Sequence, residues 1–262
     1  MTASKPDFLI VGAAKCGTSS LAANLKLHPE IYMPKSEIHY FSKHPYWGDD
    51  WYLSRFDQAG KVQGEKSPSY LYFNRCHQHI ARTLPQAKLI VMLRDPVRRA
   101  FSNWNMRYND KRLIRHGLQF NSEVDKELRL KSLDFETIVD YYLAHWEELS
   151  LVSERPLDTI HRSLYIMQLK SLFKFFPPEN VFLLVSDLYF RNEGKYYQQV
   201  CEFLNLKQSF QPPSFEKHML GSYKKEIPKE PAQKLRRFFR PYNEELFQLL
   251  GYSVPQWDRD EL

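Results

Sequence analysis

Cysteine is scarce in this chain: Cys16, Cys76 and Cys201 are the only three in 262 residues. Their odd number and wide, unpatterned spacing argue against a disulfide framework and against a zinc site, and fit a reducing compartment. No run approaches the roughly 20 apolar residues that a membrane span requires. The start, Met1-Thr2-Ala3-Ser4-Lys5-Pro6-Asp7, has no basic stretch followed by a long apolar one, so no secretory leader is expected. Internal repeats, low-complexity stretches, a basic tail and any known nucleic-acid-binding signature are also lacking, which makes DNA or RNA an unexpected partner. The expectation is a cytoplasmic chain without a membrane span.

What charge there is points to a small anion. Lys and Arg number 37 against 31 Asp and Glu, a net charge of +6 with a pI near 9.0, and the excess is spread along the chain. Such a balance suits an anionic cofactor or substrate. At 262 residues, 43% of them hydrophobic, the chain has the size of one α/β domain spanning 1–262.

The organising stretch is Phe8-Leu9-Ile10-Val11-Gly12-Ala13-Ala14-Lys15-Cys16-Gly17-Thr18-Ser19-Ser20-Leu21. An apolar run fit for a buried parallel strand breaks into small, basic and hydroxyl residues, then resumes with helical spacing through Leu27. Small residues let backbone N–H groups approach an anion, the helix N-terminus adds partial positive charge, and Lys15 adds a full one. The Walker order Gly-Lys-Ser/Thr is absent, because Lys15 precedes Gly17-Thr18-Ser19. An ordinary turn bearing a surface lysine is the plainer alternative.

Further along, Lys88-Leu89-Ile90-Val91-Met92-Leu93 and Asn180-Val181-Phe182-Leu183-Leu184-Val185 are two more buried strands, and Val62-Gln63-Gly64-Glu65 is a shorter one. Asp95-Pro96 reads as cap and first residue of a helix reaching about Tyr108. Helical periodicity marks Phe135 to Leu149, Thr159 to Phe176, Glu193 to Leu204 and Pro231 to Leu250, and a helix begins near Cys76 and ends before Pro85. Tyr46 to Tyr52 suits a packed aromatic loop. Residues 109–133 alternate charges without an apolar stripe and form a candidate mobile lid. Strands alternating with helices predict a three-layer, P-loop-like α/β fold, a central parallel sheet flanked by helices, with ligands beyond the strand C-terminal ends. Arg94, directly after its strand, and Ser102 in the next helix form a plausible second anion clamp, against the alternative of a surface arginine paired with Asp95.

The run Gly12 to Leu21, taken with Leu93-Arg94-Asp95-Pro96-Val97-Arg98-Arg99-Ala100-Phe101-Ser102, resembles the two donor-binding motifs of sulfotransferases that use 3′-phosphoadenosine 5′-phosphosulfate (PAPS). Ser36-Glu37-Ile38-His39-Tyr40-Phe41, Asp50-Trp51-Tyr52, Glu65-Lys66-Ser67-Pro68-Ser69-Tyr70 and Lys234 to Asn243 are similar to the heparan sulfate sulfotransferase branch. The resemblance implies that Lys15 and the loop Cys16, Gly17, Thr18, Ser19 and Ser20 bind the 5′-phosphosulfate. It implies that Arg94 and Ser102 hold the 3′-phosphate, that Tyr165 contacts the nucleotide, and that Tyr223, Lys224 and Lys225 lie in a loop closing over the phosphates. Glu37 matches the family's catalytic base and Lys66 a lysine beside the transferred group.

The residue types agree with that chemistry. In-line attack on sulfur needs a base, a role a carboxylate fills if its surroundings raise its pKa. It also needs positive charge where the bridging oxygen leaves, from Lys15 and Lys66, and these residues require no metal. His39 either orients Glu37 or contacts the acceptor, or is a satisfied, partly buried histidine. Cys16 is expected to be a small packing residue, since no covalent step is needed. Where heparan 3-O-sulfotransferases carry arginine and aspartate, this chain has Ser19 and Ser42, and it lacks their paired-cysteine hairpin. The expected enzyme is thus of a bacterial, cytoplasmic type. It would move a sulfuryl group to a hydroxyl, or less readily an amine, of a carbohydrate or small metabolite. The alternatives are a P-loop kinase, disfavoured by the lysine order, and a noncatalytic binder of adenosine bisphosphates or polyanions, which would have no use for Glu37 and Lys66. No oligomeric state follows from the sequence.

Overall fold

The computed structural model describes residues 5–106, 134–147, 159–215 and 226–259. Five parallel strands, β1 (Phe8–Gly12), β2 (Ile31–Tyr32), β3 (Val62–Lys66), β4 (Lys88–Leu93) and β5 (Val181–Val185), form one sheet in the order β2-β3-β1-β4-β5. The α/β reading with a central parallel sheet therefore holds. Its centre is set by composition: Phe8 to Val11 in β1 and Leu89 to Leu93 in β4 are completely buried, as strands covered on both faces must be.

Between the strands lie α1 (Thr18–Lys26), α2 (Tyr40–Lys43), α3 (Asp49–Leu53), α4 (Asn74–Thr83), α5 (Pro96–Trp104), α6 (Phe135–Ala144) and α7 (Tyr165–Leu172), and after β5 come α8 (Ser186–Tyr189), α9 (Glu193–Phe203) and α10 (Lys229–Leu250). The expected packed loop over Tyr46 to Tyr52 is instead a 3₁₀ turn, Pro45–Trp47, followed by α3. Asp49 and Asp50 occupy that helix's first turn, where negative charge opposes the positive helix end. The periodic stretch Thr159 to Phe176 contains a 3₁₀ turn, His161–Ser163, as well as α7.

The chain divides into two compact units, one of Met1–Arg94 and Gln168–Leu220, the other of Asp95–Met167 and Gly221–Leu262. The first carries the whole sheet. Where β1 meets β3, Phe8 pairs with Gly64, and a Cβ on Gly64 would stand 2.4 Å from the buried Phe8 ring. Glycine is required there by close approach. Gly64→Ala is expected to destabilise the protein by about 2 kcal/mol, the usual cost of overpacking a core, which thermal unfolding would register as a fall in Tm of several degrees.

The second unit has its own aromatic core, in which Phe101 meets Phe135 edge to face at 5.0 Å and Trp104, Val139, Leu235 and Phe239 are buried. Asp95 caps α5 as its sequence suggested, accepting from the N–H groups of Val97 at 2.8 Å and Arg98 at 3.0 Å. Its other oxygen lies 3.5 Å from Nη2 of the buried Arg236.

Candidate active site

The site grows from the end of β1. Beyond Gly12 the chain turns through Lys15, whose φ is 75°, to Gly17, which precedes α1 in the left-handed conformation (φ 87°) and offers no side-chain cap. In the first turn of α1 the Ser20 N–H donates to the Gly17 carbonyl at 3.0 Å, and the helix start carries partial positive charge. A Cβ on Gly17 would lie 2.9 Å from the Phe190 ring as well as straining the backbone. Cys16 is fully buried, in keeping with a packing role. Arg94, at the end of β4, donates from Nη1 to the Lys15 carbonyl at 3.4 Å.

The neighbouring strand brings the second component. The Ser67 N–H donates to the Ile10 carbonyl at 3.2 Å and the Leu71 N–H to the Val11 carbonyl at 2.8 Å, which fixes the chain after β3 beside the end of β1. Lys66 then reaches Ser19 in α1, Nζ to Oγ 2.9 Å. The same ammonium lies 2.5 Å from Oε1 of Glu37, whose other oxygen is 2.8 Å from Nε2 of His39. With an ionised carboxylate as acceptor, Nε2 must carry the proton of that contact. His39 Nδ1 faces Ser69 Oγ at 3.4 Å, and Ser69 is 3.0 Å from Ser42 Oγ.

Electrostatically the carboxylate departs from expectation. Burial alone would lift the Glu37 pKa, but hydrogen bonds from His39 and Lys66, together with their charge, hold it down at about 2. Sequence reasoning asked for a raised value; the lysine that marks the site produces the opposite. Beneath the Glu37 turn lies a second carboxylate, Glu65, essentially inaccessible at 1% exposure. Burial pushes its pKa up, while hydrogen bonds from Ser67, Tyr70, Tyr52 and the Ile38 N–H pull the other way.

The structure thus brings together Lys15, Cys16, Gly17, Thr18, Ser19, Ser20, Arg94, Glu37, His39 and Lys66 within the sheet-bearing unit. Ser102 and Tyr165 belong to the other unit, where both are buried. Tyr165 packs against Trp257 with ring centroids 6.2 Å apart. Tyr223, Lys224 and Lys225 and the 109–133 segment lie outside the described residues. Glu65 was not singled out from sequence as a functional group; its donors Tyr52, Ser67 and Tyr70 come together on it only in the folded chain.

Residues 5–237 match the family model of the sulfotransferase domain. The chain belongs to the sulfotransferase domain family. It is similar to human heparan sulfate glucosamine 3-O-sulfotransferase 3B1, 24% identical over 277 aligned residues that cover 97% of this chain and 65% of that protein. It is likewise 24% identical to human heparan sulfate glucosamine 3-O-sulfotransferase 5, covering 95% of this chain and 73% of the relative. The chain therefore spans about two thirds to three quarters of the length of these curated relatives. Among solved structures, a sulfotransferase from Alicyclobacillus acidocaldarius superposes with a TM-score of 0.74 at 28% identity, covering 98% of this chain and all of that one. The family is one of sulfuryl-transfer enzymes that generally use PAPS. Among the described residues of this chain no helix is long and apolar enough to cross a membrane.

Proposed function

We propose that this sulfotransferase uses PAPS to sulfate a hydroxyl of a saccharide or small metabolite, with Glu37 as the base. The observation that carries the reading is the position of Lys66. One ammonium touches both Ser19 at the start of α1 and Glu37, so the place suited to an anion and the place suited to proton removal are a single side chain apart. The residues fit the donor: a helix start with no side-chain cap, a glycine whose Cβ would strike Phe190, and Lys15 and Arg94 beside it. Lys15 and the Cys16 to Ser20 turn would hold the phosphosulfate, with Arg94 on the nucleotide phosphates. Bound there, PAPS supplies the sulfuryl group on a phosphate leaving group.

The protein's own residues divide the remaining work. Glu37 takes the acceptor's proton, and His39 orients it through the Oε2 contact. Lys66 and Lys15 place positive charge where the leaving oxygen develops negative charge. An anion at the Ser19 end competes with Glu37 for Lys66. As that pairing weakens, the cause of the low pKa weakens with it and burial lifts the carboxyl toward the range of an effective base.

A saccharide acceptor is supported by the relatives, two of which are named for heparan sulfate glucosamine. Calorimetric titration is expected to show adenosine 3′,5′-bisphosphate binding at least about tenfold more tightly than ATP, a difference of about 1.4 kcal/mol. Labelled PAPS incubated with panels of saccharides, alcohols, phenols and amines is expected to label hydroxyl compounds. A preference for ATP favours the kinase alternative, and binding without label transfer to any panel member favours the noncatalytic one.

A further inference from the structure

We infer that Glu65 is a positioning residue for sulfuryl transfer: buried beneath the Glu37 to His39 turn, it holds that turn's backbone so that Glu37 and His39 meet each other and Lys66. The inference rests on the reading of Glu37 as the base. Glu65 Oε1 accepts from the hydroxyls of Tyr52 at 3.1 Å and Tyr70 at 2.8 Å. Oε2 accepts from Ser67 at 2.7 Å, and the Ile38 N–H also donates to this carboxylate. Ser67 Oγ in turn accepts from the His39 N–H at 3.0 Å. Two successive amides of the turn are thus tied to one carboxylate, Ile38 directly and His39 through Ser67.

The turn needs such restraint. His39 adopts a left-handed conformation, φ 55°, which costs a residue with a Cβ roughly 1–2 kcal/mol and persists only where its surroundings enforce it. Side chains alternate along a strand, so Glu65 holds the turn from below while Lys66, the next residue of β3, reaches Glu37 and Ser19 from the other face. Four donors converge on Glu65, the set an ionised carboxylate can accept. An amide in its place would turn an NH₂ toward donors.

The test compares Glu65→Gln and Ser67→Ala with the wild type and with Glu37→Gln, measuring kcat, KM for PAPS, Kd for adenosine 3′,5′-bisphosphate and Tm. Both substitutions are expected to lower kcat by about tenfold or more, the scale of a misplaced catalytic group, while Kd stays within about twofold. Combined with Glu37→Gln, Glu65→Gln is expected to add almost nothing, because its effect passes through Glu37. Unchanged kcat in both variants, an undiminished loss in the Glu37→Gln background, or a parallel loss of nucleotide affinity overturns the inference. If Glu65→Gln does not fold, Ser67→Ala, which leaves the carboxylate in place, carries the same readouts. A fully active Glu37→Gln overturns the base assignment and this inference together, whereas an inactive Glu37→Gln beside a fully active Glu65→Gln overturns the inference alone.

Discussion

Glu37→Gln is expected to lower kcat by on the order of 100- to 10,000-fold, the usual share of general acid–base catalysis, and to leave the affinity for adenosine 3′,5′-bisphosphate nearly unchanged. The amide preserves shape, so the loss reports on the proton-accepting oxygen. Nucleotide affinity does not fall, because Glu37 touches Lys66 and His39 rather than the turn that begins α1; releasing Lys66 from that pairing raises it by no more than a few-fold. A second signature follows from the carboxyl's pKa, about 2 against an ordinary 4.5. A group whose folded pKa is depressed stabilises the protein above its unfolded value and loses that contribution as pH falls through the folded one. The stability difference between wild type and Glu37→Gln is therefore expected to be constant above about pH 5.5 and to shrink between about pH 4.5 and 2, as read from urea unfolding midpoints. A pH-independent difference would place Glu37 away from Lys66 and His39, and unimpaired turnover would remove it as the base.

That pKa marks the limit of what the sequence conveys here. The strands announced themselves because β1, β4 and β5 are nearly unbroken apolar runs, and Asp95-Pro96 is a local capping signal that needs no tertiary context. The turn through Lys15 and Gly17 into α1 was legible for the same reason, since its conformation is set by neighbouring residues. The ion pair of Glu37 with Lys66 joins residues on different elements, and its consequence depends on distance and burial that spacing does not encode. Sequence reasoning therefore named a carboxylate and a lysine that the structure places 2.5 Å apart, and reversed the direction of the carboxylate's pKa. Glu65 escaped notice because a carboxylate in a strand is meaningful only when its donors are known, and Tyr52, Ser67 and Tyr70 converge on it only in the folded chain. The short helix α3 was likewise hidden: its aromatic composition favoured a loop, while its two leading aspartates and the preceding glycine favoured a helix.

Lys66→Met is expected to have a comparably large effect, about 100- to 1000-fold on kcat, the scale seen when one group stabilising transition-state charge is removed. Methionine keeps much of the aliphatic length of lysine, so the change isolates the ammonium. Two consequences separate this variant from Glu37→Gln. The lysine touches Ser19 at the start of α1, so nucleotide affinity is expected to fall as well, which Glu37→Gln does not cause. Glu37 also loses a hydrogen bond and a neighbouring positive charge while the burial that raises its pKa persists, so its pKa climbs. In the wild type the acidic limb of kcat/KM, which reports the free enzyme's ionisations, is expected at low pH, because its two neighbours hold the Glu37 carboxyl well below its ordinary range. In Lys66→Met that limb is expected to move up into the measurable acidic range. A limb that stays put while kcat falls would show that Lys66 acts only on the leaving group. A limb that moves without loss of kcat would show that it acts only on Glu37. One ammonium shared between Ser19 and Glu37 leads us to expect both.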